Sequence, residues 1–378
     1  MRKPWTGLLL PALVIAACSA VAQDAEEGGK PRFFFEGGKA PAAPEGDGVG
    51  FSFEADADLA AWQALDAEAL IERDTAPGAA FAGEGCLRMT CVAREGAFQQ
   101  LTARPPTVTE AATLAFGIRT DLPTNLSFGV VEGGGAFYQQ FAAIPGGQWT
   151  WVSVPLASLV LSQDTQDASG RLEPEQIAEI RLADLANLPG PLGDALGRKT
   201  GVQRLCLDEV VLSSATEGTV AGAGDPRLFV EGFEGESVMA LAIGGAALER
   251  VAEGDGHALR VVADGRASRW QGCVLAVGQL DLRAASGLSL RLGASEGLVV
   301  NVTLEERDGS KYSQRIGVAA DAPSEKTIPL DAMILETDSA DENGRLDRDQ
   351  ARVLVIVADM ARAVRLPAWF SLDDVRFE

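Results

Sequence analysis

Histidine, tyrosine and basic residues are scarce in this chain of 378 residues. His257 is the single histidine, which excludes imidazole-rich metal centres and leaves any Ser–His–Asp hydrolysis hanging on one side chain. In the turn Gly254-Asp255-Gly256-His257, ahead of a strand at 258–262, it reads as an ordinary loop residue. Against 54 Asp and Glu stand only 32 Lys and Arg, and the net charge of −22 repels polyanions and excludes nucleic acid as a partner. Among five cysteines no Cys-x-x-Cys pair occurs, so zinc ribbons and thioredoxin-type exchange lack their ligands. Glycine-rich phosphate loops between a strand and a helix are missing too, and with them support for nucleotide binding. Beyond the N-terminus no apolar run approaches the ~18 residues of a membrane-spanning helix, so the remainder is expected to be soluble. What is present is 47% apolar, enough for two cores at about 150 residues each.

The N-terminus reads as an export address. Arg2 and Lys3 precede an apolar run from Leu8 to Ala17, and small residues follow, the order of a secretory signal over 1–22. Two processing sites compete: Ala20-Val21-Ala22 before Gln23 suits signal peptidase, whereas Ile15-Ala16-Ala17-Cys18 resembles a lipobox that would place a lipid on Cys18. The chain is therefore expected to be secreted, periplasmic or anchored to the envelope, meeting a membrane only through that lipid. Thiols pair in such a compartment: Cys206 could join Cys86 or Cys91 and leave Cys273 over, or all four serve as small buried hydrophobes. Residues 23–48, rich in Gly, Pro, Ala and Glu, read as a flexible linker, and glycine-bearing 215–226 as a second one. These bounds leave one domain at 49–214 and another at 227–378.

The two domains are copies. Residues 114–177 overlie 288–351 at a constant offset without a gap. Glu132, Gly135, Tyr138, Gln140, Pro155 and Leu156 recur as Glu306, Gly309, Tyr312, Gln314, Pro329 and Leu330, so the chain's only two tyrosines are equivalent. Both halves open on a Phe-Glu step, Phe53-Glu54 and Phe233-Glu234. Both close on Leu-Asp-acid-Val, at Leu207 to Val210 and Leu372 to Val375. The first copy carries an extra insert near Asn187 to Lys199, expected on a surface loop. Two units of this length are too few and too long for a solenoid, so a whole domain was duplicated in tandem.

Local patterns make each copy all-β. Val300, Val302 and Leu304 alternate with Asn301, Thr303 and Glu305, a strand with one dry and one wet face, and Leu126, Phe128 and Val130 repeat this. Gly133-Gly134-Gly135 and Asp308-Gly309 then turn the chain into hairpins. Short strands without a long helical period between them predict two tandem jelly-roll β-sandwich domains. A short helix is expected in each, at Leu172 to Gln176 and Leu346 to Gln350, where an acid can cap and Pro174 suits the first helical position. The second of these segments, from Ser339 to Gln350, mimics an EF-hand loop only in part. Ser stands first, and Gln stands where a bidentate Glu is required.

The Phe-Glu opening, the Gly-rich or Asp-Gly hairpin, Trp149-x-x-Val152-x-x-Pro155-Leu156, Gly-Arg-Leu-acid-x-x-Gln and the closing Leu-Asp-acid-Val together resemble galactose-binding-like β-sandwich domains. Carbohydrate-binding modules and domains like that of the complex I intermediate-associated protein share this pattern. The second copy departs from it, with Pro323 and Glu325 in place of Trp149 and Trp151. The resemblance implies a structural Ca2+ between first and last strands, held by Glu54 and Asp208 in one domain and by Glu234 and Asp373 in the other. The alternative is that these acids solvate strand edges and cap the final turn.

With Asp308-Gly309 as a two-residue turn, Glu305 opposes Tyr312 and Thr303 opposes Gln314. Tyr312 and Gln314 then join Asn301 and Thr303 on the wet face, a ring beside amides and hydroxyls as a sugar requires. Tyr138, Gln140 and Ser127 form a thinner version in the first copy, and Trp270, aligned with Phe98, is a further aromatic candidate. A register shift of one residue would reverse both faces. No catalytic residue is assigned, because with so many acids any carboxylate pair can be chosen. The expected function is non-catalytic binding of a polysaccharide or glycan. The alternatives are a structural or adhesive envelope protein using its sandwiches for protein contacts, and an unrecognised glycoside hydrolase using acidic pairs.

Overall fold

The computed structural model describes residues 48–96, 99–106, 110–162, 165–188, 193, 196–214, 229–234, 238–278, 280, 282–320, 323–337, 339, 341 and 343–378. The signal segment, Cys18, residues 23–47 of the first linker, the second linker and Phe98 lie outside these residues, while Gly48, expected at the linker's end, begins a strand. The first sandwich contains β1 (Gly48–Phe51), β2 (Trp62–Ala64), β3 (Leu70–Asp74), β4 (Cys86–Ala93), β5 (Gln99–Ala103), β6 (Thr113–Thr120), β7 (Thr124–Glu132), β8 (Phe137–Ile144), β9 (Trp149–Pro155), β10 (Val160–Leu161), β11 (Ile177–Asp184) and β12 (Gly201–Ser213). The second contains β13 (Phe229–Glu231), β14 (Leu241–Ile243), β15 (Ala247–Glu253), β16 (Gly256–Ala263), β17 (Trp270–Ala276), β18 (Gly287–Ala294), β19 (Leu298–Glu306), β20 (Lys311–Val318), β21 (Ser324–Pro329), β22 (Ile334–Leu335), β23 (Ala351–Asp359) and β24 (Ala368–Phe377). No helix among the described residues is long and apolar enough to cross a membrane.

Each sandwich pairs a back sheet with a junction sheet. The back sheets run β3-β4-β12-β6-β9 with β1 beside β12, and β15-β16-β24-β18-β21 with β13 beside β24. The junction sheets run β10-β8-β7-β11-β5-β2 and β22-β20-β19-β23-β17-β14. Every strand of one copy thus has its counterpart in the other, as a duplication requires. Between the sheets of the first copy lie Leu87, Leu114, Phe116, Leu126 and Phe128, all fully buried, and between those of the second Leu259, Leu290, Val300, Leu304 and Phe370. Burying each such side chain contributes about 1.5–3 kcal/mol.

Three expectations are corrected. The 308–309 hairpin is not a two-residue turn: the N–H of Glu306 meets Ser310 O at 2.9 Å and that of Gly309 meets Glu306 O at 3.0 Å, so Arg307-Asp308-Gly309 form a three-residue loop. Glu305 therefore faces Lys311, Leu304 faces Tyr312 and Val302 faces Gln314. Gly133-Gly134-Gly135 builds the same loop, and Gly135 and Gly309 share φ of 92°. The expected helices shrink to a single 3-10 turn, Pro174–Gln176, and to a hydrogen-bonded turn in which the N–H of Gln350 reaches Asp347 O.

The third correction concerns the insert. Leu188 and Leu196 are not on a surface loop but buried, together with Phe141, Val160 and Leu185, against Leu241, Ile243, Val274, Ala276, Val353, Val355 and Val357 of the second copy. The outer faces of the two junction sheets meet there. Asn125 fixes the approach: its side-chain amide accepts from the Ala242 N–H at 3.0 Å and donates to the Ala242 carbonyl at 3.1 Å, and also donates to Leu196 O at 3.2 Å. Within the insert, the Lys199 ammonium is buried against Asp184 at 2.7 Å, so its charge is paired where water is excluded.

Candidate functional site

The one-residue change of register decides which expected contacts face a ligand. Tyr312 is 1% exposed and Tyr138 3%; both rings point into their cores. Each phenol donates to an equivalent carboxylate, Tyr138 to Asp167 and Tyr312 to Asp341, and burial followed by that bond pushes both phenols upward from their ordinary pKa. They anchor loops and are not a platform. Gln140 and Gln314 share the inward side, opposite Phe128 and Val302. Ser127 does lie on the outer face, but it is buried and donates to Gln139 Oε1 at 2.8 Å.

In the second copy the structure brings three expected residues together. Asn301, Thr303 and Trp270 lie on the outer face of the junction sheet, at the border of the buried junction cluster. The register adds Arg315, directly opposite Asn301. Its guanidinium carbon stands 5.7 Å from the Trp270 ring centroid, and Arg269 stands 5.1 Å from it. Arg269 is committed, with its fork on the Asp359 carboxylate at 2.8 and 2.9 Å. Arg315 is exposed and makes no ion pair among the described residues. Asn301 Nδ2 donates to Thr303 Oγ1 at 3.1 Å and Thr303 donates to Glu336 at 3.2 Å, whereas Asn301 Oδ1 is buried with no partner. Arg315 was missed because the two-residue turn set it on the side of Val302. Strand pairing also aligns Trp270 with Gln99, since both sit beside the equivalent Asp359 and Asp184.

Each of the four acids that the resemblance implies at calcium accepts from backbone N–H groups. Asp208 is fully buried; it accepts from the N–H groups of Phe81, Ala82 and Glu209, and burial raises its carboxyl to about 6. Glu54 accepts from Glu84 and Gly85. Glu234 accepts the His257 N–H at 3.0 Å and meets its ring Nδ1 at 3.1 Å, contacts that hold its carboxyl below the usual range. Asp373 accepts from Asp374, and burial raises it to about 6. These oxygens accept from backbone N–H groups of turns. Among the described residues, three acids whose ligand atoms lie within 4.8 Å of one another occur elsewhere, at Glu306, Asp308 and Asp341. The four cysteines are free thiols, all buried, with Cys86 and Cys206 in one cluster.

No family model and no curated protein matches the chain. Among solved structures it is similar to the tandem CBM22 domains of Paenibacillus barcinonensis Xyn10C, at 16% identity and TM-score 0.29, covering 89% of this chain and 98% of that one. A family 11 carbohydrate-binding module of the Clostridium thermocellum cellulase Lic26A-Cel5E matches at 15% identity and TM-score 0.34, covering 46% of this chain and 99% of the module. An exo-beta-agarase matches at 16% identity and TM-score 0.34, over 45% of this chain and 25% of the agarase. The architecture stands on the strand order itself: the chain is a tandem pair of jelly-roll β-sandwiches.

Proposed function

We propose that this is an exported, non-catalytic carbohydrate-binding protein whose sugar site is the strip of the second junction sheet that borders the buried junction, at Trp270, Asn301, Thr303 and Arg315. The observation that carries the reading is Arg315, exposed and without an ion pair among the described residues, 5.7 Å from the Trp270 ring centroid and directly opposite Asn301. Asn301, half-buried directly opposite Arg315, adds an amide to the same strip. The guanidinium fork can donate to hydroxyl oxygens on two neighbouring carbons of a sugar ring, while Trp270 beside it adds apolar surface.

Isothermal titration of the full chain against soluble oligosaccharides, with pull-down on insoluble polysaccharides, tests this. Arg315→Ala and Asn301→Ala are each expected to weaken binding about tenfold with an unchanged melting temperature. Binding to no glycan, or binding indifferent to both variants, would remove the proposal. A structural or adhesive envelope role is the second reading. It is favoured by the junction, where the outer faces of the two junction sheets already serve an apolar contact between the copies.

A further inference from the structure

Residues 75–85, between β3 and β4, have no counterpart in the second copy, where Gly254 and Asp255 turn β15 into β16. This strap lies over the outer face of the first back sheet. Phe81 stacks on Trp151 with ring centroids 5.5 Å apart and planes 12° from parallel, and meets Trp149 edge-on at 5.8 Å. The floor is Gly117, where a Cβ would come within 2.9 Å of the Phe81 ring. The N–H groups of Phe81 and Ala82 donate to one oxygen of Asp208 at 2.8 and 3.1 Å. Arg119, 5.0 Å from the Trp149 ring centroid, donates to the carbonyls of Gly78 and Ala79 at 3.3 and 3.2 Å. Trp149 Nε1 is buried without a hydrogen-bond partner.

The strap therefore offers a flat six-membered ring to an indole, two donors to a carboxylate and two acceptors to a guanidinium. A pyranose offers the same set, with its CH face for the indole and its hydroxyls for the charged groups. We infer that this face of the first copy is a second carbohydrate site, for a pyranose of an oligosaccharide, which strap residues 78–82 occupy in place of ligand. When the strap lifts, the sugar ring lies on Trp151, its hydroxyls donate to Asp208, and its oxygens accept from Arg119 and from Trp149 Nε1. Lifting breaks no strand ladder, because residues 75–85 belong to no strand. The site shares no residue with the Arg315 face and does not depend on it.

The full chain and its Phe81→Ala variant are titrated with gluco-, xylo-, manno- and galacto-oligosaccharides, following heat and tryptophan fluorescence. Phe81→Ala is expected to gain about tenfold in affinity for one class. The gain should vanish when Trp151→Ala or Asp208→Asn is added and persist when Arg315→Ala is added, which separates this site from the other face. Hydrogen exchange in the unaltered chain gives an independent reading, with the Phe81 and Ala82 amides expected to exchange by local opening, well ahead of β4 and β12. A folded Phe81→Ala protein that binds no sugar more tightly, or Phe81 and Ala82 amides that exchange only on global unfolding, would overturn the inference.

Discussion

Phe53, Phe233, Glu209 and Asp374 adopt φ between 48° and 55°, a backbone conformation that side chains other than glycine rarely take. They are the phenylalanines of the two Phe-Glu steps and the second acids of the two Leu-Asp-acid-Val steps. The recurrence of these steps was legible in the sequence; the bend they mark was not, since neither Phe nor Glu is a residue that a left-handed backbone selects. The phenylalanines are held in place by burial. Glu209 has no such compensation, and burial next to Glu54 raises its carboxyl. Glu209→Gly should therefore stabilise the chain by about 1 kcal/mol, read as a higher urea midpoint at unchanged slope. Because Asp208, Glu54, Glu234 and Asp373 cap backbone amides, a chelator should leave the melting temperature unchanged. A fall on chelation that Ca2+ reverses and that disappears in Asp208→Asn and Asp373→Asn would assign those acids as ligands.

At the scale of elements, the hairpins were legible and their register was not. Asp-Gly serves both a two-residue turn and a three-residue loop whose last member is left-handed, and the two differ by one position. In the first copy three successive glycines hide the difference, although Gly135 is the one of the three at positive φ. The outcome reverses the strand faces, which is why Tyr312 and Gln314 turned inward while Arg315 came out beside Asn301. Gly309→Ala should destabilise the chain by about 1–2 kcal/mol by forcing a side chain into that position, measured by denaturant unfolding. The run Val353-Leu354-Val355-Ile356-Val357 carried a further signal. A strand apolar on both sides is buried on both sides, and β23 is indeed covered by the second core on one face and by the first copy on the other.

For the whole molecule, the charge balance and the buried acids act in one direction. Burial raises Asp208 and Asp373 to about 6 and Glu231, Glu305 and Glu306 to about 7. A carboxyl raised on folding adds stability that is complete below its unfolded pKa, near 4, and is lost as pH rises through the folded value. Asp167, held at about 2 by the Tyr138 hydroxyl, and Asp341 and Asp359, also lowered, oppose this only as pH falls below about 4. The melting temperature should therefore rise as pH is lowered from 8 to about 5 and fall again in stronger acid, as calorimetry would record. Phe141, buried in the junction, gives the second prediction at this scale. Phe141→Ala should lower stability by about 3–5 kcal/mol and resolve the heat-capacity trace into separate transitions for the two copies.

The paired amides of Asn125 and Ala242 have a consequence for evolution. A duplicated unit usually stays an interchangeable cassette, free to be shuffled, permuted or lost without harm to its sister. Here each half has surrendered that freedom, since cutting the chain between them would bare an apolar face on each and leave two sticky fragments where one inherited protein stood.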